Sequence, residues 1–468
     1  MNDTGFIHPY IPNSVPAVRQ EMLREIGLTD VEEILAEIPA NLRVPGLLSL
    51  PEPLLSEYDL RRHVQSLLDR NVSSAECLNF LGGGCWSHFV PALCDEITAR
   101  GEFLTAYSGS NYSDLGKHQA RFEYNSLMAE LLDYDVVVEP GYDWGTAAGF
   151  ALRMAARLTG RREVLVPENM GAERRSIIAE LCEPEYVAGH IAITEVACDR
   201  ANGRLDLADL ASKSSAATAA VYFENPGYLG QLEPGAAEIC RLARDAGAVS
   251  IAGVDPISLG VVAPPGSYRA DIAVGDLQPL GIHMAAGTGL SGFMAFRDEE
   301  PYLAECPFAI YTILETTVAG EHTFGELLSG RTSYGVRDQA PDWVGTQTGL
   351  WAICAGVYLA SLGPQGMREV GETIVRRAHY AARRLAELPG VSLPLGDGFF
   401  KEFPVCFDDT GKSVAEVNEA LLARGIFGGR NLSVGYPQLG QSALYCVTEV
   451  HTRGDIDRLV DTLAEVLS

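Results

Sequence analysis

The segment VSIAGVDPISLGVVAPPGSYRADIAVGDLQPLGI, from Val249 to Ile282, contains two short apolar runs, VSIAGV and DIAVG. Neither run alternates apolar and polar side chains, as is expected of strands that are covered on both faces of a sheet. Asp255 ends the first run, and ligands of open α/β sheets bind beyond the carboxyl ends of the strands. The segment therefore predicts two buried strands, with a carboxylate at the carboxyl end of the first strand, where ligands bind.

The same kind of run recurs between residues 136 and 297, where short β-branched segments alternate with helical ones. The other strand candidates are EVLVP, HIAITEVA, TAAVYFEN and GLSGFMAFR. Alternation of strands and helices predicts an α/β domain built on a mostly parallel sheet with helices on both faces.

Three parts are predicted along the chain. Residues 1–100 read as a helical arm, because SVPAVRQEMLREIGL and DVEEILAEIP carry apolar residues three and four positions apart. Residues 101–345 form the large α/β domain. Residues 346–468 begin with a long helical region, broken at Gly363 and Pro364, that leads into a small C-terminal α+β domain.

Composition excludes several classes of function. The 468 residues carry a net charge of -27, which disfavours binding to nucleic acid or to an anionic membrane surface. We see no apolar run of the roughly 18 residues that a membrane helix needs and no secretory pattern in MNDTGFIHPYIPNSVP, so a cytoplasmic protein is expected. The ten cysteines are scattered singly, which predicts buried thiols and no metal site.

Three features are candidates for a binding site, and each also has a structural interpretation. Gly145 and Thr146 lie where a loop enters a helix, so their backbone N–H groups suit a phosphate, although small residues also make tight helix starts. Asp255 stands where pyridoxal phosphate enzymes of this architecture pair an aspartate with the pyridinium nitrogen, but it also suits a cap before Pro256. The glycines 82–84 indicate either a structural turn or a site loop.

Several longer stretches resemble one family nearly end to end. They include YIPNSVP, EIPANLR, FLGGGCWSH, FEYNSLMAELL, ENPGYLGQLEP and VDPISLGVVAPPGSYRADIAVGDLQPLGI. They are similar to the alpha (N-terminal-type) subunit of two-subunit glycine dehydrogenase (decarboxylating), the P-protein of the glycine cleavage system. The resemblance implies a type I pyridoxal phosphate-dependent transferase-like fold and a heterotetramer with a homologous beta subunit that carries the cofactor and its lysine. Glycine would be decarboxylated there, and the aminomethyl group would pass to a lipoyl carrier protein.

In this resemblance, Gln278 occupies the position of the cofactor lysine. A Schiff base needs an amine, and an amide cannot form one, so no catalytic residue is expected in this chain and Gly145, Thr146 and Asp255 would be vestigial. The other lysines offer poor substitutes: Lys117 would have to reach in from a loop, and Lys213, Lys401 and Lys412 are expected to be solvated.

The chain departs from the family pattern in its loops. Residues 105–119 read TAYSGSNYSDLGKHQ, residues 284–289 read MAAGTG, and Gly171-Ala172 replaces a usual His-Pro. Drift in a subunit without cofactor explains these changes, and so does retuning of the subunit pair towards another amino acid or acceptor. The candidates for lining the partner's active site are His88, Thr105, Tyr107, Ser108 and Lys117. The alternative for His88 is a packed, hydrogen-bonded histidine, and the alternative for Tyr107 is core packing.

Three hypotheses of function follow. In the first, the chain supports a lysine-bearing partner in a P-protein-like enzyme that acts on glycine, or on another amino acid in specialised metabolism. In the second, it is a purely structural assembly subunit. In the third, it is active alone, with the cofactor held noncovalently by Asp255 and the Gly145 loop.

Overall fold

The computed structural model describes residues 7–44, 48–74, 76–104, 115–185, 189–327, 329–344 and 348–468. The candidates Thr105, Tyr107 and Ser108 lie outside the described residues. The chain divides into two compact units, Met1–Val72 and Ser73–Ser468. The predicted boundaries at residues 100 and 345 remain predictions.

Among the described residues of the first unit are the helices α1 (Pro16–Glu25) and α2 (Glu57–Leu68). The side chain of Ser56 caps α2 by accepting a hydrogen bond from the backbone N–H of Asp59. No residue of α2 is buried. Its apolar residues at helical spacing form one exposed face, which we call the α2 stripe: Leu60, Val64, Leu67 and Leu68.

The second unit begins with the alternating elements that the sequence predicts. In chain order they are β1 (Leu78–Asn79), α3 (Ala92–Thr98), α4 (Gly101–Leu104), α5 (Leu115–Leu132), β2 (Val136–Gly141), α6 (Trp144–Thr159), β3 (Glu163–Pro167), α7 (Ala172–Cys182), β4 (Ala192–Val196), α8 (Leu207–Lys213), β5 (Thr218–Glu224), α9 (Ala236–Asp245), β6 (Val249–Gly253), β7 (Ile272–Asp276) and β8 (Gly292–Phe296). All six predicted strands are present, as β3 to β8.

Strands β2 to β8 form one seven-stranded sheet in the order β2-β8-β7-β6-β5-β3-β4. Strand β8 runs antiparallel to both of its neighbours, and the other pairs are parallel. Consecutive residues of β5, Tyr222 and Phe223, belong to different hydrophobic clusters, because successive side chains of a strand point to opposite faces. The sheet is therefore mostly parallel and covered on both faces, as predicted.

The remaining elements follow the sheet. They are α10 (Glu300–Glu305), β9 (Ile310–Glu315), β10 (His322–Leu327), α11 (Ser333–Val336), α12 (Gly349–Ala386), β11 (Glu402–Cys406), α13 (Val414–Leu422), β12 (Ile426–Phe427), β13 (Arg430–Asn431), β14 (Ser442–Cys446) and α14 (Arg453–Leu467). Helix α12 is interrupted at Gly363, which has φ 60° and precedes Pro364, as predicted. Strands β11, β14 and β13 form an antiparallel sheet, which gives the small α+β region.

Two negative observations apply to the part of the chain that the structure describes. None of its helices combines the length and the hydrophobicity needed to span a membrane. It also brings together no group of three or more His, Cys, Asp or Glu side chains suited to a metal ion.

Candidate functional site

Gln278 follows β7 and is buried, with only 1% of its surface exposed. Its Oε1 accepts a hydrogen bond from the backbone N–H of Trp86 at 3.1 Å. Its Nε2 donates to the carbonyls of Trp86 at 3.0 Å and Ile282 at 3.2 Å. Gln278, at the predicted lysine position, therefore connects the segment that follows the glycines 82–84 to the carboxyl end of strand β7.

Asp255 lies beyond β6 and has two buried partners. Its Oδ1 accepts a hydrogen bond from the backbone N–H of Ile257 at 3.2 Å, which is the capping role before Pro256. Its Oδ2 lies 2.7 Å from Nζ of Lys401. Lys401 is only 2% exposed, so the expectation that it is solvated is wrong. Its position directly before β11 carries it inside, where the carboxylate offsets the loss of hydration.

The ammonium of Lys401 makes two further contacts. It lies 3.6 Å from the centre of the Trp86 ring and 3.1 Å from Nε2 of His88. An ammonium has only donors, so Nε2 of His88 accepts and its Nδ1–H donates to Oε2 of Glu449 at 2.8 Å. His88 is thus a packed, hydrogen-bonded histidine in a chain of contacts that we call the lysine cluster: Trp86, His88, Asp255, Lys401 and Glu449.

Glu449 lies at one end of the lysine cluster and is negatively charged. Burial opposes its ionisation, yet the His88 ring and the backbone N–H of Phe89, at 2.7 Å, lower its pKa to about 2. The carboxylate is therefore held in its charged form at neutral pH.

The lysine cluster leaves almost no free space. The cavity lined by Trp86, Asp255, Lys401 and their neighbours has a volume of about 10 Å³. That is roughly the room that one water molecule needs, and far less than a cofactor ring requires.

The predicted phosphate site lies at the start of α6. The N-cap residue is Asp143, and its Oδ1 accepts a hydrogen bond from the backbone N–H of Thr146 at 2.7 Å. A carboxylate therefore already occupies this helix end, where a phosphate would bring a second negative charge. A Cβ at Gly145 would lie 3.0 Å from the Ile177 side chain, so close packing against α7 accounts for this glycine.

A larger cleft of about 360 Å³ lies beside these residues. Arg174 forms one wall, pairs with Glu224 at 2.9 Å and stacks 3.6 Å above the Trp144 ring. Asp276, at the end of β7, forms another part of the wall and is 2% exposed. Burial raises the pKa of Asp276 well above its ordinary value, although Arg174 favours the charged form.

Known proteins are similar to this chain over nearly its whole length. The family model described as glycine cleavage system P-protein matches residues 8–463. The chain belongs to this P-protein family. Staphylothermus marinus has a similar protein, named probable glycine dehydrogenase (decarboxylating) subunit 1, that is 38% identical over 98% of both chains. A protein of the same name from Saccharolobus solfataricus is 37% identical, again over 98% of both chains.

Solved structures agree with the family and the fold. A crystal structure of glycine decarboxylase (P-protein) in inhibitor-bound form is similar at a TM-score of 0.84 and 32% identity, covering 98% of this chain and 100% of that one. A sphingosine-1-phosphate lyase from Burkholderia pseudomallei has a TM-score of 0.65 at 15% identity, covering 92% and 94% of the two chains. A NifS-like protein has a TM-score of 0.61 at 13% identity, covering 84% and 99%. The fold is the type I pyridoxal phosphate-dependent transferase fold, as predicted.

The other three lysines of the chain, Lys117, Lys213 and Lys412, are not members of the lysine cluster. Lys117 is buried on helix α5 instead of reaching in from a loop, because the helix has already begun at Leu115. It lines neither of the two cavities described above. Lys213 and Lys412 are partly exposed, and Lys213 pairs with Asp209 at 2.7 Å.

Sequence reasoning missed four residues that organise this region: Trp86, Arg174, Lys401 and Glu449. A signal existed for Lys401, because it is one of very few lysines and stands in the apolar run FFKEFPVCF. A charge in such a run is a candidate for a buried ion pair. Arg174 and Glu449 gave no comparable signal, because Arg174 lies in the polar run ERRS and Glu449 in the mixed segment VTEVHT.

Proposed function

We propose that this chain is the lysine-less alpha subunit of a two-subunit glycine decarboxylase. Decarboxylation of glycine and transfer of the aminomethyl group to a lipoyl carrier protein then belong to a lysine-bearing beta subunit, most simply in a heterotetramer. Relatives named subunit 1 at 37–38% identity support the assignment. The observation that carries it is the 2.7 Å ion pair between Lys401 and Asp255. Gln278, at the position where the family resemblance predicts the cofactor lysine, is held in hydrogen bonds to the Trp86 backbone.

Pyridoxal phosphate does not fit the residues around Gln278 and Asp255. Gln278 offers no amine, and its amide is engaged with Trp86 and Ile282. Asp255 is paired with Lys401, and the remaining cavity of about 10 Å³ cannot hold a pyridine ring. The start of α6 is capped by Asp143. We therefore place the cofactor in the partner subunit, which also speaks against the hypothesis that this chain is active alone.

The role left for this chain is to complete and order the partner's active site. Thr105, Tyr107, Ser108 and Lys117 remain the candidates for direct contact. His88 is better suited to positioning, because both of its ring nitrogens are engaged, with Lys401 and Glu449. The ten cysteines are all free, which supports the proposed cytoplasmic location.

The α2 stripe supports the existence of a partner. Leu60, Val64, Leu67 and Leu68 present adjacent apolar side chains that are 42–55% exposed. Exposure of such an apolar helix face to water is unfavourable, and burial against another subunit removes this unfavourable exposure. We propose that the beta subunit covers it.

A second candidate function is action of the subunit pair on an amino acid other than glycine. The departures at Gly171 and in the turn at residues 284–289 favour it, because Gly171 and Gly287 line the same cleft. Changes that cluster at one cavity are more readily explained by retuning than by scattered drift.

Two experiments test the proposal. The purified chain, incubated with pyridoxal phosphate and then borohydride, is expected to show no lysine adduct by peptide mass mapping; an adduct on any of its four lysines contradicts the proposal. Co-expression with a lysine-bearing P-protein homologue from the same genome is expected to give a stable complex that releases carbon dioxide from glycine. Turnover by this chain alone, or release from a different amino acid only, would favour the alternatives.

A further inference from the structure

Two buried cysteines from distant parts of the chain meet beside Gly281. Cys94 lies on α3 and is 1% exposed, and Cys354 lies on α12 and is 2% exposed. The thiol of Cys354 donates a hydrogen bond to the carbonyl of Gly281, with an Sγ–O distance of 3.0 Å. A Cβ at residue 281 would lie only 2.8 Å from Sγ of Cys94. Both sulfur atoms therefore lie against the same glycine.

The two thiols also interact with each other. Cys94 and Cys354 are in hydrogen-bond contact and belong to the same hydrophobic cluster, where α3 packs against α12. Gly281 has a positive φ of 84°, and its missing side chain leaves the space that Sγ of Cys94 occupies. The glycine therefore allows the two sulfur atoms to approach each other.

The two thiols differ in acidity. Their hydrogen bond lowers the pKa of Cys94 and, together with burial, raises the pKa of Cys354 above its ordinary value. The thiolate is the nucleophilic form of cysteine, so Cys94 is the better nucleophile of the pair. Cys354 keeps its proton and suits a second, resolving step.

Cys94 lies close to the surface although its own side chain is covered. It is the buried residue of the short helix α3, and its neighbour Leu93 is 48% exposed. Asp95 pairs with His283 at 2.9 Å, but both side chains are more than half exposed, so this ion pair adds little stability. Local opening of such a surface helix costs less than global unfolding and gives a water-sized oxidant access to Cys94.

We propose that Cys94 and Cys354 are a redox-active dithiol at which a hydroperoxide forms a reversible disulfide between α3 and α12. The sulfur of Cys94 attacks one oxygen of hydrogen peroxide, the O–O bond breaks, and a sulfenic acid forms on Cys94. The hydroxide that leaves takes up the proton of the Cys94 thiol and departs as water.

The second step closes the disulfide. The sulfur of Cys354 attacks the sulfur of Cys94, the S–O bond breaks, and the hydroxide leaves as water with the proton of the Cys354 thiol. Two thiols and one peroxide thus give one disulfide and two waters. A dithiol reductant reverses the reaction by thiol–disulfide exchange. The site uses no residue of the lysine cluster, and no step of the proposed function depends on it.

The experiment treats the reduced, full-length chain with excess hydrogen peroxide, with and without dimedone, which traps sulfenic acids. Remaining thiols are alkylated under denaturing conditions, and peptides are mapped by mass spectrometry without reduction. The variants are Cys94→Ser and Cys354→Ser. Cys240→Ser is the matched control, because Cys240 is also 1% exposed and belongs to the same cluster. Circular dichroism confirms that each variant is folded.

Wild type and Cys240→Ser are each expected to lose two thiols per chain, recovered as one cross-linked pair of peptides that contain Cys94 and Cys354. Dithiothreitol should restore both thiols. Cys354→Ser should leave a sulfenic acid on Cys94 that dimedone labels, and Cys94→Ser should give neither a disulfide nor a label at Cys354.

Three results overturn the inference. They are the absence of the Cys94–Cys354 disulfide in peroxide-treated wild type, equally abundant disulfides between other cysteines, and dimedone labelling of Cys354 in folded Cys94→Ser. The first two come from wild type, so the test does not depend on the folding of any variant.

Discussion

The Nζ atom of Lys401 lies 2.7 Å from Oδ2 of Asp255, and the two side chains are only 3% and 4% exposed. Both charges have lost their hydration, and only their mutual attraction compensates for it. Removing one partner of this buried pair should therefore cost far more stability than removing one partner of a surface pair. The pair also occupies the aspartate that a cofactor ring would need.

Lys401→Met should destabilise the chain by about 3–5 kcal/mol, since it leaves Asp255 buried without its counter-charge. The measurement is guanidinium unfolding followed by circular dichroism. Lys213→Met is the matched control: Lys213 pairs with Asp209 at 2.7 Å but is 35% exposed, so its loss should cost about 1 kcal/mol or less. The double variant Lys401→Met with Asp255→Asn should recover part of the loss. A double variant less stable than Lys401→Met alone would show that the charges do not depend on each other.

Gln278→Lys should not restore a cofactor site. The substitution would remove the hydrogen bonds that Gln278 makes with Trp86 and Ile282. Asp255 would remain paired with Lys401. Incubation with pyridoxal phosphate and borohydride, followed by peptide mass mapping, should therefore find no adduct at position 278. A stoichiometric adduct there would mean that Gln278 alone prevents cofactor binding, and that the residues of the lysine cluster rearrange easily to make room.

The sequence predicted the elements that depend on local pattern and missed those that depend on distant partners. The six strands and the break at Gly363 are encoded in neighbouring residues, and all were found. The burial of Lys401 is not, because it requires Asp255, His88 and Trp86, which come from separate segments of the chain. Gln278 illustrates both cases: its place just after a buried strand was predicted, but its hydrogen bonds to the Trp86 backbone could not be.

Glu449→Gln should lower stability most at neutral pH. The pKa of Glu449 is about 2 in the folded protein, below its value in the unfolded chain, so the ionised carboxylate stabilises the fold above the unfolded value. This contribution is lost as pH falls from about 4.5 towards 2. Denaturant unfolding at several pH values should show the gap between wild type and variant closing over that interval. If the difference in unfolding free energy between wild type and variant stays constant with pH, the loss of stability is due to packing and not to charge.

Asp276→Asn should raise the stability of the chain at neutral pH. Burial raises the pKa of Asp276, with Asp143 and Asp255 adding to the effect and Arg174 and Lys401 opposing it. The folded state then holds a proton that the unfolded chain releases above about pH 4, so stability falls as pH rises from there. The variant should lack this fall, and its melting temperature should exceed that of wild type increasingly from pH 4 to pH 7. Parallel pH curves for the two proteins would contradict this expectation. The control is Asp298→Asn, at an exposed position.

Leu67→Asp in the α2 stripe should weaken assembly with the beta subunit without unfolding the chain. Leu67 is 49% exposed, so the substitution removes no core contact in the free chain, but it places a charge in a face that we propose to be covered in the complex. Ser66→Asp is the matched control, because it adds the same charge on the other side of the same helix, where residues are also exposed. Sedimentation velocity of co-expressed pairs should show at least a tenfold weaker complex for Leu67→Asp and an unchanged one for Ser66→Asp. Equal assembly of both variants would place the partner's contact surface elsewhere on the chain.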